Sequence, residues 1–145
     1  MPTPEQNKEA AIRFIDEVFN KGNIAHIDEA LADNFVEHQE FPGMAPTKEG
    51  AKQFMEMMFK TASDMEVEIV QTIASGDRVA IHSRTSATDT GGFMPGMEPT
   101  GKRYTLEGID IVRYGDDGRA TDHWGIVDVM GAMGQLGLLP QPPES

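Results

Sequence analysis

The sequence predicts an α+β domain in which helices come first and an antiparallel sheet follows. Up to about residue 62, apolar residues recur at the i, i+3, i+4 spacing of amphipathic helices. From Met65 onward, apolar and polar residues alternate, which is the period of a strand with one solvent-facing side. Helices and antiparallel strands segregated in this way indicate a curved sheet that wraps around or packs on the helices.

Three helices are expected in the first part of the chain. Thr3 caps the first helix, Gln6 completes a capping box, and the helix ends at Gly22. A short second helix covers residues 24–31. Thr47 caps the third helix, which carries an apolar face of its own.

Four strands are expected after the helices. The first begins at Met65 and ends before a Ser-Gly-Asp turn. The others cover residues 78–88, 103–114 and 119–129, and the Gly-rich turns between them favour hairpins. Without a linker-like run inside the chain, we expect one domain over residues 1–139 and a flexible Pro-rich tail over 140–145.

Composition argues against several kinds of partner and chemistry. The chain has no cysteine, so disulfides, thiolate nucleophiles and cysteine-based metal sites are impossible. Its 24 acidic and 12 basic residues give a formal charge of −12, which argues against nucleic acid and membrane partners. No apolar segment resembles a targeting signal or a membrane span, so a cytoplasmic location is expected.

The last predicted hairpin can place an acid, Asp110, and a base, His123, on one face of the sheet. A four-residue loop of 115–118 pairs position 110 with 123, whereas a two-residue loop pairs it with 125 and leaves His123 diagonal. Both registers keep the two side chains on the same face, about 5–8 Å apart at Cβ. A three-residue loop would break this arrangement.

The face that carries Asp110 is expected to line a pocket. Its neighbours Ile109 and Ile111 are apolar and are assigned to a packed core, which leaves the Asp110 face for another purpose. Ionisable groups that share a pocket are candidates for acid–base chemistry. The alternative is a hydrogen-bonded polar pair inside an ordinary sheet.

Four sequence segments together resemble the SnoaL-like polyketide cyclases, also labelled predicted ester cyclases, of the nuclear transport factor 2-like superfamily. They are FNKGN, DNFVEH, TGGFMPGMEPTGKRY and DHWGIVDVMGAMGQLG. The resemblance covers about residues 7–137. It implies a cone-shaped bent antiparallel sheet closed by three N-terminal helices, a pocket inside the cone, no metal or organic cofactor, and a homodimer through the outer sheet face.

The family's cyclases close a ring by an intramolecular aldol condensation, with an aspartate as acid and base beside a histidine. His123 matches that histidine, but the aspartate position, two residues later, is Gly125. Two other pocket positions of the cyclases correspond to Glu37 and Asp110. The resemblance therefore implies that Asp110, His123 and Glu37 are the candidate catalytic residues.

Further residues are candidates for substrate binding. His38 is placed at the pocket mouth, with local backbone hydrogen bonding as an equally weighted alternative. Met94 and Met97 lie in a loop that could close over a ligand, and Trp124 could form a pocket wall. Gly125 leaves room for a substrate atom or a water. The histidines show no HxxxH or HxH spacing, so a metal site is not predicted.

These observations predict a cofactor-independent acid–base enzyme that acts on an apolar, carbonyl-bearing small molecule, such as a polyketide or a related ester. One alternative is a hydrolase, hydratase or isomerase built on the same scaffold. Another is a dimer that binds a small molecule without catalysis. A fold alone does not choose among them.

Overall fold

A computed structural model describes residues 1–140, so of the predicted tail only Pro140 is included. The helices and strands follow one another in chain order: α1 (Pro4–Phe14), extended by a π-helical turn (Ile15–Asn20), α2 (His26–Ala30), β1 (Leu31–Glu37), α3 (Lys48–Thr61), β2 (Glu66–Ser75), β3 (Arg78–Thr88), β4 (Arg103–Tyr114), β5 (Ala120–Val127) and α4 (Val129–Gln135). A curved, unclosed five-stranded sheet with helices confirms the predicted α+β class.

Both predicted helix caps are present. The Thr3 side chain accepts a hydrogen bond from the Gln6 backbone N–H, and the Gln6 side chain accepts one from the Thr3 backbone, which is a complete capping box. Thr47 accepts a hydrogen bond from the Gly50 backbone N–H at the start of α3. These caps satisfy helix-terminal N–H groups that have no partner inside the helix.

The sheet contains a strand that the sequence analysis missed. The strand order is β1-β5-β4-β3-β2, and β1 pairs with β5 in parallel, so the sheet is mixed and not wholly antiparallel. A register shift between Leu31 and Val36 breaks the regular alternation of buried and exposed residues along β1. This irregularity removed the period-two signal from residues 31–37.

The predicted last strand is too long at its C-terminal end. β5 ends at Val127, and Asp128 is the N-cap of α4, where its side chain accepts a hydrogen bond from the Gly131 backbone N–H. Capping by aspartate is a strong helix-start signal. Residues 128 and 129 therefore belong to the start of a helix that the sequence analysis did not predict.

The β4–β5 hairpin has one of the two expected registers, but its loop length differs from the length expected for that register. Its loop has three residues, closed by a hydrogen bond from the Gly115 N–H to the Arg119 carbonyl, and Gly118 within it has φ +80°. Such a loop was expected to break the arrangement. However, a β-bulge between Arg113 and Tyr114 restores the register of the two-residue loop, so that Asp110 pairs with Gly125.

Helices cover one face of the sheet, here called the inner face, and it carries Asp110. Ile81, the cross-strand partner of Asp110, is only 3% exposed. Tyr114, which lies four residues from Asp110 on the same face, is buried. Ile109 and Ile111 lie on the opposite, outer face and are 55% and 38% exposed. Their assignment to the core was wrong, because both faces of this strand carry apolar residues and alternation alone does not say which face is covered.

The core lies between the helices and the inner face. Val18 and Ile27 from the helical layer and Val79 from β3 are fully buried within it. Leu136, directly after α4, closes the same cluster. Within residues 1–140, no helix combines the length and apolar character needed to cross a membrane.

Replacing Ile27 with alanine should reduce the free energy of unfolding by about 2–5 kcal/mol, because Ile27 is fully buried and a cavity would remain. Ile12→Ala is the matched control, since Ile12 is 38% exposed on α1. Urea unfolding of both variants measures the difference. Equal losses of stability would contradict this placement of the core.

Candidate active site

Three strands bring Glu37, Asp110 and His123 together on the inner face. Glu37 is the last residue of β1 and pairs with His123 of β5 in parallel register. On the other side of β5, Asp110 of β4 pairs with Gly125, which places it diagonal to His123. The His123 imidazole therefore lies between a carboxylate from each neighbouring strand.

Both ring nitrogens of His123 are hydrogen-bonded to carboxylates. Nδ1 lies 2.5 Å from Glu37 Oε2, and Nε2 lies 2.7 Å from Asp110 Oδ1. The side chains of Glu37, His123 and Asp110 are 17%, 20% and 29% exposed. Asp110 is thus the member of this carboxylate–imidazole–carboxylate cluster that a small molecule can reach most easily.

The cluster favours the charged form of its histidine. Burial by itself lowers the pKa of His123, but the hydrogen bonds and the negative charges of Asp110 and Glu37 outweigh it and raise the pKa to about 9. An imidazolium can donate from both nitrogens, which matches the two carboxylate partners. At neutral pH His123 is therefore a cation, and it is not available to accept a proton.

The carboxylates differ in exposure and not in free hydrogen-bonding capacity. Glu37 Oε2 accepts a second hydrogen bond, from the Gln39 backbone N–H at 3.3 Å. Among the side-chain hydrogen bonds of residues 1–140, none involves Glu37 Oε1 or Asp110 Oδ2, and Asp110 is the more exposed of the two residues. An accessible carboxylate oxygen without a protein partner can accept a proton or a hydrogen bond from a ligand.

Gly125 provides space beside the cluster. A Cβ at this position would lie 2.4 Å from Gln39 Oε1, 2.8 Å from Asp110 Oδ1 and 3.0 Å from His123 Cε1. The first two distances are shorter than real Cβ contacts and the third is tight, so a side chain at position 125 would require Gln39 and Asp110 to shift. Gln39 was not selected from the sequence, because a glutamine in an irregular segment carries no motif that would identify it.

The structure does not bring His38 or Trp124 to the inner face. His38 hydrogen-bonds Asp122 through Nε2 at 2.9 Å and stacks on Trp124, with ring centroids 4.6 Å apart. Trp124 pairs with the outer-face residue Ile111. Both side chains therefore lie away from the cluster, because neighbours of His123 and Glu37 in extended strands point to the other side of the sheet.

The loop that carries Met94 and Met97 is anchored at one end of the sheet. The buried Asp89 accepts hydrogen bonds from Gly92 and from both the backbone and the hydroxyl of Thr100. This loop joins β4 at Arg103, seven residues from Asp110 and roughly 23 Å along an extended strand. The described contacts of the loop do not place either methionine against the cluster.

Two open clefts lie away from the cluster. One, of about 320 Å³, lies near the β-bulge and is bordered by Val36, Arg113 and Asp122. The other, of about 480 Å³, lies between α1 and β2 and is bordered by Ile12, Ile15 and Ile69. Neither cleft is lined by Asp110 or His123, and both of these side chains are partly exposed.

The cluster is not arranged to bind a metal ion. Within the part of the chain that the structure describes, no group of three or more histidine, aspartate and glutamate side chains has ligand geometry. In the cluster itself, both nitrogens of His123 face carboxylate oxygens, so neither nitrogen has a free lone pair to offer a metal.

The chain belongs to the SnoaL-like polyketide cyclase family, whose model matches residues 9–136. The nuclear transport factor 2-like fold expected from the resemblance is confirmed by solved structures of SnoaL-like proteins. No curated protein matches the chain.

Three solved structures illustrate the similarity. TsrD from Streptomyces laurentii is 22% identical with a TM-score of 0.84, over 96% of this chain and 100% of that chain. AclR from Streptomyces galilaeus, provisionally described as a hydroxylase, is 25% identical with a TM-score of 0.83, over 98% of this chain and 91% of that chain. IdmH from Streptomyces antibioticus, provisionally described as a polyketide cyclase, is 27% identical with a TM-score of 0.77, over 91% and 99%.

The raised pKa of His123 should make stability depend on pH. The folded value of about 9 exceeds the unfolded value near 6.5, so the stabilisation is complete below pH 6.5 and is lost as the pH rises through 9. The contribution is about 3 kcal/mol at 1.36 kcal/mol per pKa unit. Urea unfolding between pH 6 and 9.5 should show this loss in the wild type and not in His123→Asn.

Subtracting the two pH profiles removes contributions that both proteins share, such as that of the buried Tyr114, whose pKa is raised by burial. Parallel profiles for the two proteins would contradict an imidazolium held by two carboxylates.

Proposed function

We propose that the protein is an enzyme that uses Asp110 as a general base on an apolar, carbonyl-bearing small molecule such as a polyketide or a related ester. The observation that carries this proposal is the accessible Asp110 carboxylate, held by a buried imidazolium that Glu37 neutralises from the other side. Family membership supports a cyclase-type scaffold. The chemistry requires no group beyond these side chains.

In the proposed reaction, Asp110 removes a proton from the carbon next to a carbonyl. His123 donates to Oδ1 of Asp110 at 2.7 Å, so Oδ2 is the oxygen that accepts the substrate proton. His123 keeps its own proton and acts as a positioning and charge-balancing group. Glu37 holds the imidazole through the opposite nitrogen, which keeps the ring oriented toward Asp110.

This arrangement accounts for a cyclase-type enzyme with glycine at position 125. Asp110 is the direct cross-strand partner of Gly125, so a carboxylate at 110 reaches the same space that an aspartate at 125 would occupy. The carboxylate also keeps its contact with His123. We therefore propose that Asp110 on β4 takes the acid–base role that the family's aspartate has at position 125 on β5. The glycine at position 125 leaves room for the Asp110 carboxylate.

The same residues could orient a water molecule for hydrolysis or hydration. The similarity to AclR, provisionally described as a hydroxylase, is consistent with a scaffold that supports more than one reaction. Binding without catalysis is the third possibility. Each of these makes a different prediction for exchange at the carbon next to a carbonyl.

The test is deuterium exchange at that carbon, followed by mass spectrometry in heavy water over a panel of β-keto esters and polyketide-like aromatics. Wild type should exchange at least one compound that it binds. Asp110→Asn should lose about 10²–10⁴-fold in rate, since general base catalysis contributes this much. Asp116→Asn, in the exposed hairpin turn, is the control and should keep the wild-type rate.

Exchange that survives in Asp110→Asn would remove Asp110 as the base. Hydrolysis or hydration of a bound compound without any exchange would favour the water-activating alternative. Binding with neither reaction would favour a non-catalytic binding protein.

We also propose a homodimer formed through the outer sheet face. Two neighbouring rows of residues cross this face; the first is apolar, and the second is apolar in its β4 and β5 residues. They contain Ile73, Ala80, Ile111 and Trp124 in one row and Gln71, His82, Ile109 and Ile126 in the other. Ile73 and Ile126 are 66% and 79% exposed, an apolar surface that a second copy of this face would cover.

Placing a charge in this patch should prevent association. Ile126→Lys should elute and scatter light as a monomer at concentrations where the wild type has twice the mass of one chain. Met130→Lys changes an equally exposed residue on α4, 68% exposed, and should leave the mass unchanged. A monomeric wild type would contradict the proposed dimer.

A further inference from the structure

We propose that the Gln39 carboxamide binds the carbonyl oxygen of the substrate and stabilises the enolate that forms when Asp110 removes the neighbouring proton. The inference rests on the proposed function, because it supplies the second group that this reaction needs. A base alone leaves the developing negative charge on oxygen without a donor.

Gln39 lies beside the cluster, where its backbone is hydrogen-bonded and its side chain extends toward Gly125. Its backbone N–H donates to Glu37 Oε2 at 3.3 Å, which fixes the chain where it leaves β1. Its side-chain Oε1 lies 2.4 Å from the point where a Cβ of residue 125 would stand, and Asp110 Oδ1 lies 2.8 Å from the same point. The carboxamide oxygen and the carboxylate oxygen therefore lie close to the same point above Gly125, so a molecule that contacts one of them is within reach of the other.

The Gln39 carboxamide has hydrogen-bonding capacity to offer. Among the side-chain hydrogen bonds of residues 1–140, none involves its oxygen or its nitrogen, and the residue is partly buried. Rotation about the last side-chain torsion exchanges the positions of Oε1 and Nε2, so the N–H₂ group can face a ligand that lies beside Asp110. A primary amide in such a position donates well to a carbonyl oxygen and better to an enolate.

The proposed step is balanced in protons and electrons. Asp110 takes the proton, the electron pair of the broken C–H bond forms a C=C bond, and the carbonyl π pair moves onto oxygen. The resulting oxyanion accepts a hydrogen bond from Gln39 Nε2. Return of a proton or deuteron from Asp110 to carbon restores the ketone. In ring closure, the C=C pair of the enolate instead forms a C–C bond to a second carbonyl of the same molecule while the first carbonyl re-forms. The alkoxide left on the second oxygen then takes the proton from Asp110.

Gly125 is the residue that makes this position available to Gln39. A Cβ at 125 would stand well inside contact distance of the carboxamide oxygen and would push the flexible Gln39 side chain away. Gly125→Ala should therefore impair the same step as a change of Gln39 itself. Because Asp110 Oδ1 lies 2.8 Å from the same point, Gly125→Ala should also displace the proposed base.

The experiment compares Gln39→Met with Gln53→Met in the exchange assay. Methionine has a similar length and no N–H donor, and Gln53 is an exposed residue on α3 that serves as the matched control. Loss of an oxyanion donor should reduce kcat and kcat/KM together by about 10²–10³-fold in Gln39→Met, with no change in Gln53→Met. The NMR signals of the His123 ring should stay unchanged in Gln39→Met, whereas a variant that merely disturbed the cluster would shift them.

A Gln39→Met enzyme with kcat within threefold of wild type would overturn the inference. If Asp110→Asn still lost exchange in that case, the proposed base would stand and only the donor would be wrong. If wild type exchanged none of the compounds that it binds, the proposed function would fail instead. Binding of 4-nitrophenol then decides the role of Gln39: about tenfold weaker binding in Gln39→Met supports oxygen recognition, and equal binding overturns it.

Discussion

The hydrogen-bonded contact of one imidazole with two carboxylates is the constraint on which the rest of the site depends. His123 can donate to Glu37 and Asp110 at once only as a cation, and the two carboxylates stabilise this partly buried charge. Each carboxylate comes from a different strand. The cluster therefore links the parallel β1–β5 pair to the antiparallel β4–β5 pair, and the geometry of both pairs controls the position of Asp110.

The division of labour within the cluster follows from this charge distribution. His123 is the residue that a motif comparison would select as the base, yet its raised pKa keeps it protonated at neutral pH. Asp110 is the more exposed carboxylate and retains an oxygen without a protein partner among the described residues. Glu37 is less exposed, and its Oε2 accepts from both the Gln39 backbone and His123. Geometry thus distinguishes the two acidic residues, which composition treats as equivalent.

The sequence predicted the Asp110–His123 contact because both candidate registers of the hairpin place the two side chains on the same face of the sheet. The prediction held even though the loop has three residues, since the bulge near Arg113 compensates for the extra shift. Glu37 was identified as a candidate from the family resemblance, but its contact with His123 was not predicted. That contact depends on a parallel pairing between residues 86 positions apart, for which residue periodicity gives no signal.

Other residues near the cluster lie elsewhere than the sequence alone suggested, for equally physical reasons. Ile109 and Ile111 suggested a buried face, but this sheet is apolar on both sides, and only the packing of the helices determines which side is covered. Trp124 and His38 are direct neighbours of His123 and Glu37 in sequence, and strand alternation sends them to the outer face. Gln39 has no sequence signature at all. Its position became apparent only from the space above Gly125.

The protonation state of His123 is the most direct test of an imidazolium held between Glu37 and Asp110. Nitrogen-15 spectra of the histidine rings, with His123 assigned by comparison with His123→Asn, report whether each ring nitrogen carries a proton. At pH 7.5 this arrangement predicts protons on both Nδ1 and Nε2 of His123, with loss of one proton only near pH 9. A single unprotonated ring nitrogen at pH 7.5 would contradict it, because a neutral imidazole cannot donate to Glu37 and Asp110 together.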